Sequence, residues 1–167
     1  MRILMTIAAL TLVGAPISLA QDATPPAPCS DDAFQEFDFW IGTWDVTTPN
    51  GTFAGINEIT SEESGCLVLE KWTSANGGTG QSYNFYNPET ETWRQVWVSS
   101  AALIDYEGGL TDAGSMKLTG KITYYSTGQS ADFTGEWTPN EDGTVTQYFE
   151  QYDPEADAWN PWFTGLY

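Results

Sequence analysis

The chain contains no histidine among its 167 residues. That absence excludes a Ser-His-Asp triad, a His-ligated haem and His-based zinc sites. Cations are scarce as well: five Lys and Arg stand against 23 Asp and Glu, a formal net charge of −18. Such a surface repels nucleic acid and anionic lipid head groups, so neither is expected as a partner. It suits either a salty habitat or the attraction of cations and cationic ligands. Only two cysteines occur, Cys29 and Cys66. After residue 30 no segment sustains a helical apolar period, apart from one or two turns in DDAFQEFDF, where Asp31 or Asp32 is placed to cap. Any catalysis must therefore rest on Asp, Glu, Tyr, Ser, Thr, Lys or Arg.

The N-terminus has its own pattern. MRILMTIAALTLVGAPISLA carries one early charge, Arg2, then an apolar run from Ile3, and ends Ser18-Leu19-Ala20. A small-x-small ending of this kind predicts a signal peptide over 1–20 and an exported protein, periplasmic or secreted, with no membrane association after cleavage. The competing reading is a retained membrane anchor, but the run is interrupted by Gly14 and Pro16 and is short for a span. Cys29 follows Pro26-Ala27-Pro28, too far from the run for a lipoprotein. Residues 21–33 read as a Pro-rich arm and 34–167 as one domain. In an oxidising compartment two cysteines predict a Cys29–Cys66 disulfide; two free thiols are the alternative.

The remainder reads as strands at 43–48, 52–61, 66–74, 80–86, 92–99, 101–106, 114–126, 130–137, 144–152 and 158–166. Between them lie Gly, Pro, Asn and Asp clusters, the residues that tight turns require. SMKLTGKITYY shows the two-residue period most cleanly: Met116, Leu118, Gly120, Ile122 and Tyr124 share one face, while Lys117, Thr119, Lys121 and Thr123 share the other. Hairpin-length connections predict antiparallel neighbours, and eight to ten such strands form a sandwich or close into an up-and-down β-barrel, the fold expected here.

Two stretches look like copies, YNPETETW (86–93) and YDPEADAW (152–159). Pro88 and Pro154 preset φ for a turn, and Asn87 or Asp153 can bond the following backbone. Asp153, Glu155 and Asp157 also imitate the alternating carboxylates of a calcium loop. Ala158 stands where such a loop needs glycine, so a hairpin turn is the expectation and no metal site is assigned.

Binding chemistry concentrates on three strands. Val68, Glu70 and Trp72 share a face, as do Ser82, Asn84 and Tyr86, and Trp93, Gln95 and Trp97. If these faces point inward, a lumen of aromatics carries a few polar groups, the composition of a ligand pocket. Glu70, Trp72, Asn84, Tyr86, Gln95 and Trp97 are then its ligand-binding residues. If they point outward, Leu67, Leu69, Tyr83, Phe85, Val96 and Val98 fill the core instead. For an enzyme, Glu70 with Tyr83, Tyr86 or Tyr124 could move protons, but nothing places a nucleophile beside a base, and neither a catalytic residue nor a cofactor is assigned. Arg94 lies opposite Gln95 and reads as a surface ion pair.

Taken in order, FDFWIGTWDV, GCLVLEKW, GQSYNFYNPETETWRQVWV, GSMKLTG, EWTPNEDGTVTQ and WFTGLY resemble a bacterial family of secreted lipocalin-like domains, over roughly residues 34–167. The resemblance implies a calycin-type antiparallel barrel with Trp44 plugging one end, and no established activity. Some calycin relatives hold haem through a histidine, which this chain lacks. The expected function is binding of a small, largely apolar or amphipathic molecule in the barrel. The alternatives are an isomerase, cyclase or hydrolase using Glu70 and a tyrosine, and a packed barrel serving as an interaction module.

Overall fold

A computed structural model describes residues 27–167. The expected signal peptide and most of the Pro-rich arm lie outside the described residues. Ten strands follow two short 3₁₀ turns, Asp32–Gln35 and Asp38–Trp40: β1 Gly42–Thr47, β2 Phe53–Glu62, β3 Leu67–Ser74, β4 Thr79–Asn87, β5 Thr92–Ser99, β6 Ala102–Leu110, β7 Met116–Tyr124, β8 Ser130–Pro139, β9 Val145–Asp153 and β10 Ala158–Leu166. Each strand pairs antiparallel with its neighbour in sequence, and β10 returns to β1, closing the barrel through one registered pair, Thr47 opposite Leu166.

The alternation read from β7 is realised. Met116, Leu118 and Ile122 are fully buried, whereas Lys117 and Lys121 lie outside, 3.5 Å from Glu136 and 2.5 Å from Asp132. These pairs sit directly across the β7–β8 register and, being exposed, contribute little to stability. One expectation needs correcting. The EGGLTDAG segment was expected to turn after residue 106, yet β6 continues to Leu110 and the turn spans Thr111–Ser115. Gly108 is a wall residue: a Cβ there would lie 2.1 Å from the Lys117 carbonyl oxygen, so glycine is required by close backbone approach.

The two 3₁₀ turns fill one end of the barrel. Phe37 and Trp40 are fully buried and stack at 5.0 Å between ring centroids; Phe37 also meets Trp137 at 5.2 Å and Trp93 at 5.7 Å, edge to face. Trp93 Nε1 donates to the Ala33 carbonyl at 3.1 Å and Trp44 Nε1 to the Trp40 carbonyl at 2.9 Å. The plug is thus Phe37 and Trp40. Trp44, which the resemblance implied in that role, is half-buried beside it and holds it by a hydrogen bond. The Cys29–Cys66 disulfide ties the arm to the start of β3 across a separation of 37 residues.

The two similar turns lie at opposite ends of the barrel. In both, the aromatic pair is in register, Tyr86 with Trp93 and Tyr152 with Trp159. Asn87 Oδ1 accepts from the Glu89 amide at 3.0 Å, and Asp153 Oδ1 from the Glu155 and Ala156 amides at 2.9 and 3.3 Å. Glu91 and Asp157, at equivalent positions, both adopt left-handed backbone, with φ of 54° and 49°. Asp157 takes its hydrogen bond from the Tyr152 hydroxyl, so Asp153 and Asp157 serve the turn, and among the described residues the three carboxylates form no cluster.

Candidate ligand cavity

Opposite the plug, the interior is not filled. A cavity of about 190 Å³ opens there, walled by Trp72, Trp97, Ile104, Phe149 and Phe163 and floored by Glu70, Gln95, Tyr106, Gln147 and Tyr167. Its upper wall depends on a glycine. Gly80 faces Trp72 across β3–β4, and a Cβ on it would come within 2.1 Å of the Trp97 ring. Without that Cβ there is room for the Trp97 ring beside the strand.

The floor is a continuous polar belt with a direction. The Tyr106 hydroxyl donates to Gln95 Oε1, and Gln95 Nε2 donates to Asn84 Oδ1. Asn84 Nδ2 donates to Ser82 Oγ at 2.8 Å and to the Val68 carbonyl at 2.9 Å. Ser82 Oγ donates to Glu70 Oε2 at 2.6 Å. From the other side, Asn57 Nδ2 donates to Glu70 Oε1 at 2.7 Å and reaches the Tyr167 hydroxyl at 3.1 Å, which itself donates to Gln147 Oε1 at 2.6 Å. Strand register builds this belt: Glu70 is opposite Ser82, Asn84 opposite Gln95, and Gln95 opposite Tyr106. Such networks specify one arrangement when every member is satisfied. Asn57 Oδ1 is the exception, buried without a partner.

Donors converge on Glu70, which is 4% exposed. Desolvation raises its pKa to about 7, against which the hydrogen bonds from Ser82 and Asn57 act to lower it. Burial, then the nearby Glu70 charge, pushes Tyr106 and Tyr167 well above the ordinary tyrosine range, so both stay neutral donors. All three ion pairs among the described residues lie on the outer face and none involves Glu70.

Trp162 crosses the mouth. It is the extra residue of a β-bulge, since Pro161 opposes Glu150 and Phe163 opposes Phe149. Its Nε1 donates to the Tyr124 hydroxyl at 3.1 Å, which donates to Gln151 Oε1 at 2.6 Å. Its ring lies 5.4 Å from Phe133 and 6.2 Å from Phe149, yet the residue remains 48% exposed. Beyond it an open groove runs past Tyr152, Asp153 and Glu155.

Of the six residues expected to bind ligand, Glu70, Trp72, Gln95 and Trp97 line the cavity. Asn84 lies beneath them, fully buried, holding Gln95 and Ser82. Tyr86 requires correction: it packs on Phe34 at 5.1 Å, at the plugged end. Residues two apart share a face but not a depth, and β4 crosses the barrel, so its last residues lie a barrel length from its first. Tyr83 points outward, as do Val98 and Ile56, which removes it as a partner for Glu70. Arg94 pairs with Asp105 on the outer surface through two bonds of 2.8 and 2.7 Å. Asn57, Tyr106, Gln147, Trp162 and Tyr167 were not foreseen. Asn57 and Gln147 carried a usable signal, a polar residue in the apolar phase of an alternating strand. Trp162 did not, because a bulge resets the phase. No family model matches the chain, and no curated protein matches it.

Proposed function

We propose that this protein is an exported, lipocalin-like carrier of a small, largely apolar ligand, held among Trp72, Trp97 and Phe149 above the Glu70 belt. One observation carries this reading: aromatic packing fills one half of the barrel and leaves the other half open around converging polar groups. An apolar cavity of roughly 150 Å³ takes a benzene-sized molecule, so about 190 Å³ suits one or two small rings. The disulfide supports an oxidising destination. Native mass spectrometry of protein purified from its own host tests the reading. Added mass that is lost on denaturation supports it. A chain of bare mass, whose tryptophan fluorescence ignores millimolar benzyl alcohol, rejects it.

A proton-transfer enzyme is the second reading, favoured by a carboxyl that titrates near neutrality inside a cavity. Hydrolysis through Ser82 is not supported. Ser82 donates to Glu70 as an activated nucleophile would, but it is fully buried below the floor, out of reach of a substrate.

A further inference from the structure

We infer that the cavity takes a small organic cation, a protonated amine on an aromatic or aliphatic body, with Glu70 as its counter-ion. This rests on the ligand-cavity reading above and names the class of occupant. Buried charges in proteins are paired. Glu70 is buried, faces the cavity and receives neutral donors only, while all four cations of the described barrel, Lys71, Arg94, Lys117 and Lys121, lie on the outside. A carboxylate there lacks a positive partner that an ammonium group would supply. The walls favour the same class, since indoles attract cations, and Trp72 and Trp97 line the same cavity as Glu70. The approach is also negative. The chain carries −18 overall, and the groove outside Trp162 presents Asp153 and Glu155. An anionic ligand would meet the opposite of each feature.

Binding then couples to a proton. A cation selects the Glu70 carboxylate, so occupation releases the proton that burial retains near neutrality. The groups that face Glu70 are Asn57 on β2, Ser82 on β4, Gln95 on β5, Gln147 on β9, Tyr106 on β6 and Tyr167 after β10. Among them only the two tyrosines titrate, and both do so far above this range.

The experiment compares 2-phenylethylamine with its neutral analogue 2-phenylethanol, by titration calorimetry and tryptophan quenching, on the full exported chain. At pH 8 the amine is expected to bind on the order of tenfold more tightly, the difference between a charge-assisted and a neutral hydrogen bond. Below pH 7 its affinity falls, approaching tenfold per pH unit, whereas the alcohol's stays level. Glu70→Gln abolishes the preference for the amine over the alcohol. The wild-type comparison needs no variant, so misfolding of Glu70→Gln leaves the test intact. Equal affinities overturn the cation inference and leave the carrier reading standing. Amine binding that disappears in 0.5 M salt, as attraction to surface carboxylates does, overturns it as well. Failure of both compounds rejects the carrier reading too.

Discussion

The two ends of this barrel are built from the same strands and solve opposite problems. At the β4–β5 end, Tyr86 and Trp93 close a hairpin and pack against Phe34 and Phe37 of the two 3₁₀ turns, which fill this end. At the β9–β10 end, Tyr152 and Trp159 close a hairpin of the same geometry at 5.5 Å, but no helical turn descends on them, and Trp159 stays 42% exposed. One turn motif thus serves as wall of a plug and as rim of a mouth. What differs is the segment that arrives from elsewhere in the chain. Aromatic content alone does not mark a pocket: the denser aromatic cluster is the stabilising end, and the thinner one surrounds the cavity.

That contrast can be broken most forcefully at the plug. Trp40→Ala removes one of the two largest fully buried side chains and should destabilise the protein by about 3–5 kcal/mol in urea unfolding, a loss much larger than that of truncating Trp162 at the mouth. Replacing Cys29 and Cys66 by serine releases the segment that holds the plug and should lower stability by roughly 3–4 kcal/mol, read the same way under non-reducing conditions.

Glu70 supplies the matching measurement on the cavity side. Its folded pKa is raised from 4.5 to about 7, so the folded state retains a proton that the unfolded chain has already lost. Below pH 4.5 the carboxyl is neutral in both states and carries no penalty; between pH 4.5 and about 7 the unfolded chain has ionised while the folded state still holds its proton, so stability falls across that window and levels off above it. Relative to Glu70→Gln, the wild type should lose on the order of 3 kcal/mol between pH 4 and pH 8, measured as paired urea midpoints. A parallel pH dependence in the two proteins would mean that the carboxyl is wetter than the fold implies. The smallest effect belongs to the mouth. Trp162→Ala gives up contacts to Phe133 and Phe149 worth about 1 kcal/mol, yet should speed exchange of a bound probe in stopped-flow quenching, because Trp162 is the one exposed residue of the cavity lining. If exchange is unchanged, ligand enters elsewhere.

Much of the fold was legible in the residues. Alternation in β7, turn chemistry at Asn87 and Asp153, and hairpin-length connections led to an antiparallel barrel, and each is a local property. Errors arose where a local rule met a distant neighbour. Gly108 reads as a turn residue until the β7 backbone is seen pressing on it. Tyr86 belongs to the right face of β4, but depth along the barrel depends on how far the strand crosses before it turns.

The sequence by itself determined the class of fold, the acidity, the antiparallel pairing of strands adjacent in the chain and the excluded chemistries, because composition and two-residue periodicity are local. Only the tertiary structure decided that Asn57, Glu70, Ser82, Asn84, Gln95 and Tyr106 form one belt. These residues come from five strands, and a hydrogen bond between neighbouring strands depends on register and barrel closure, to which no single strand refers.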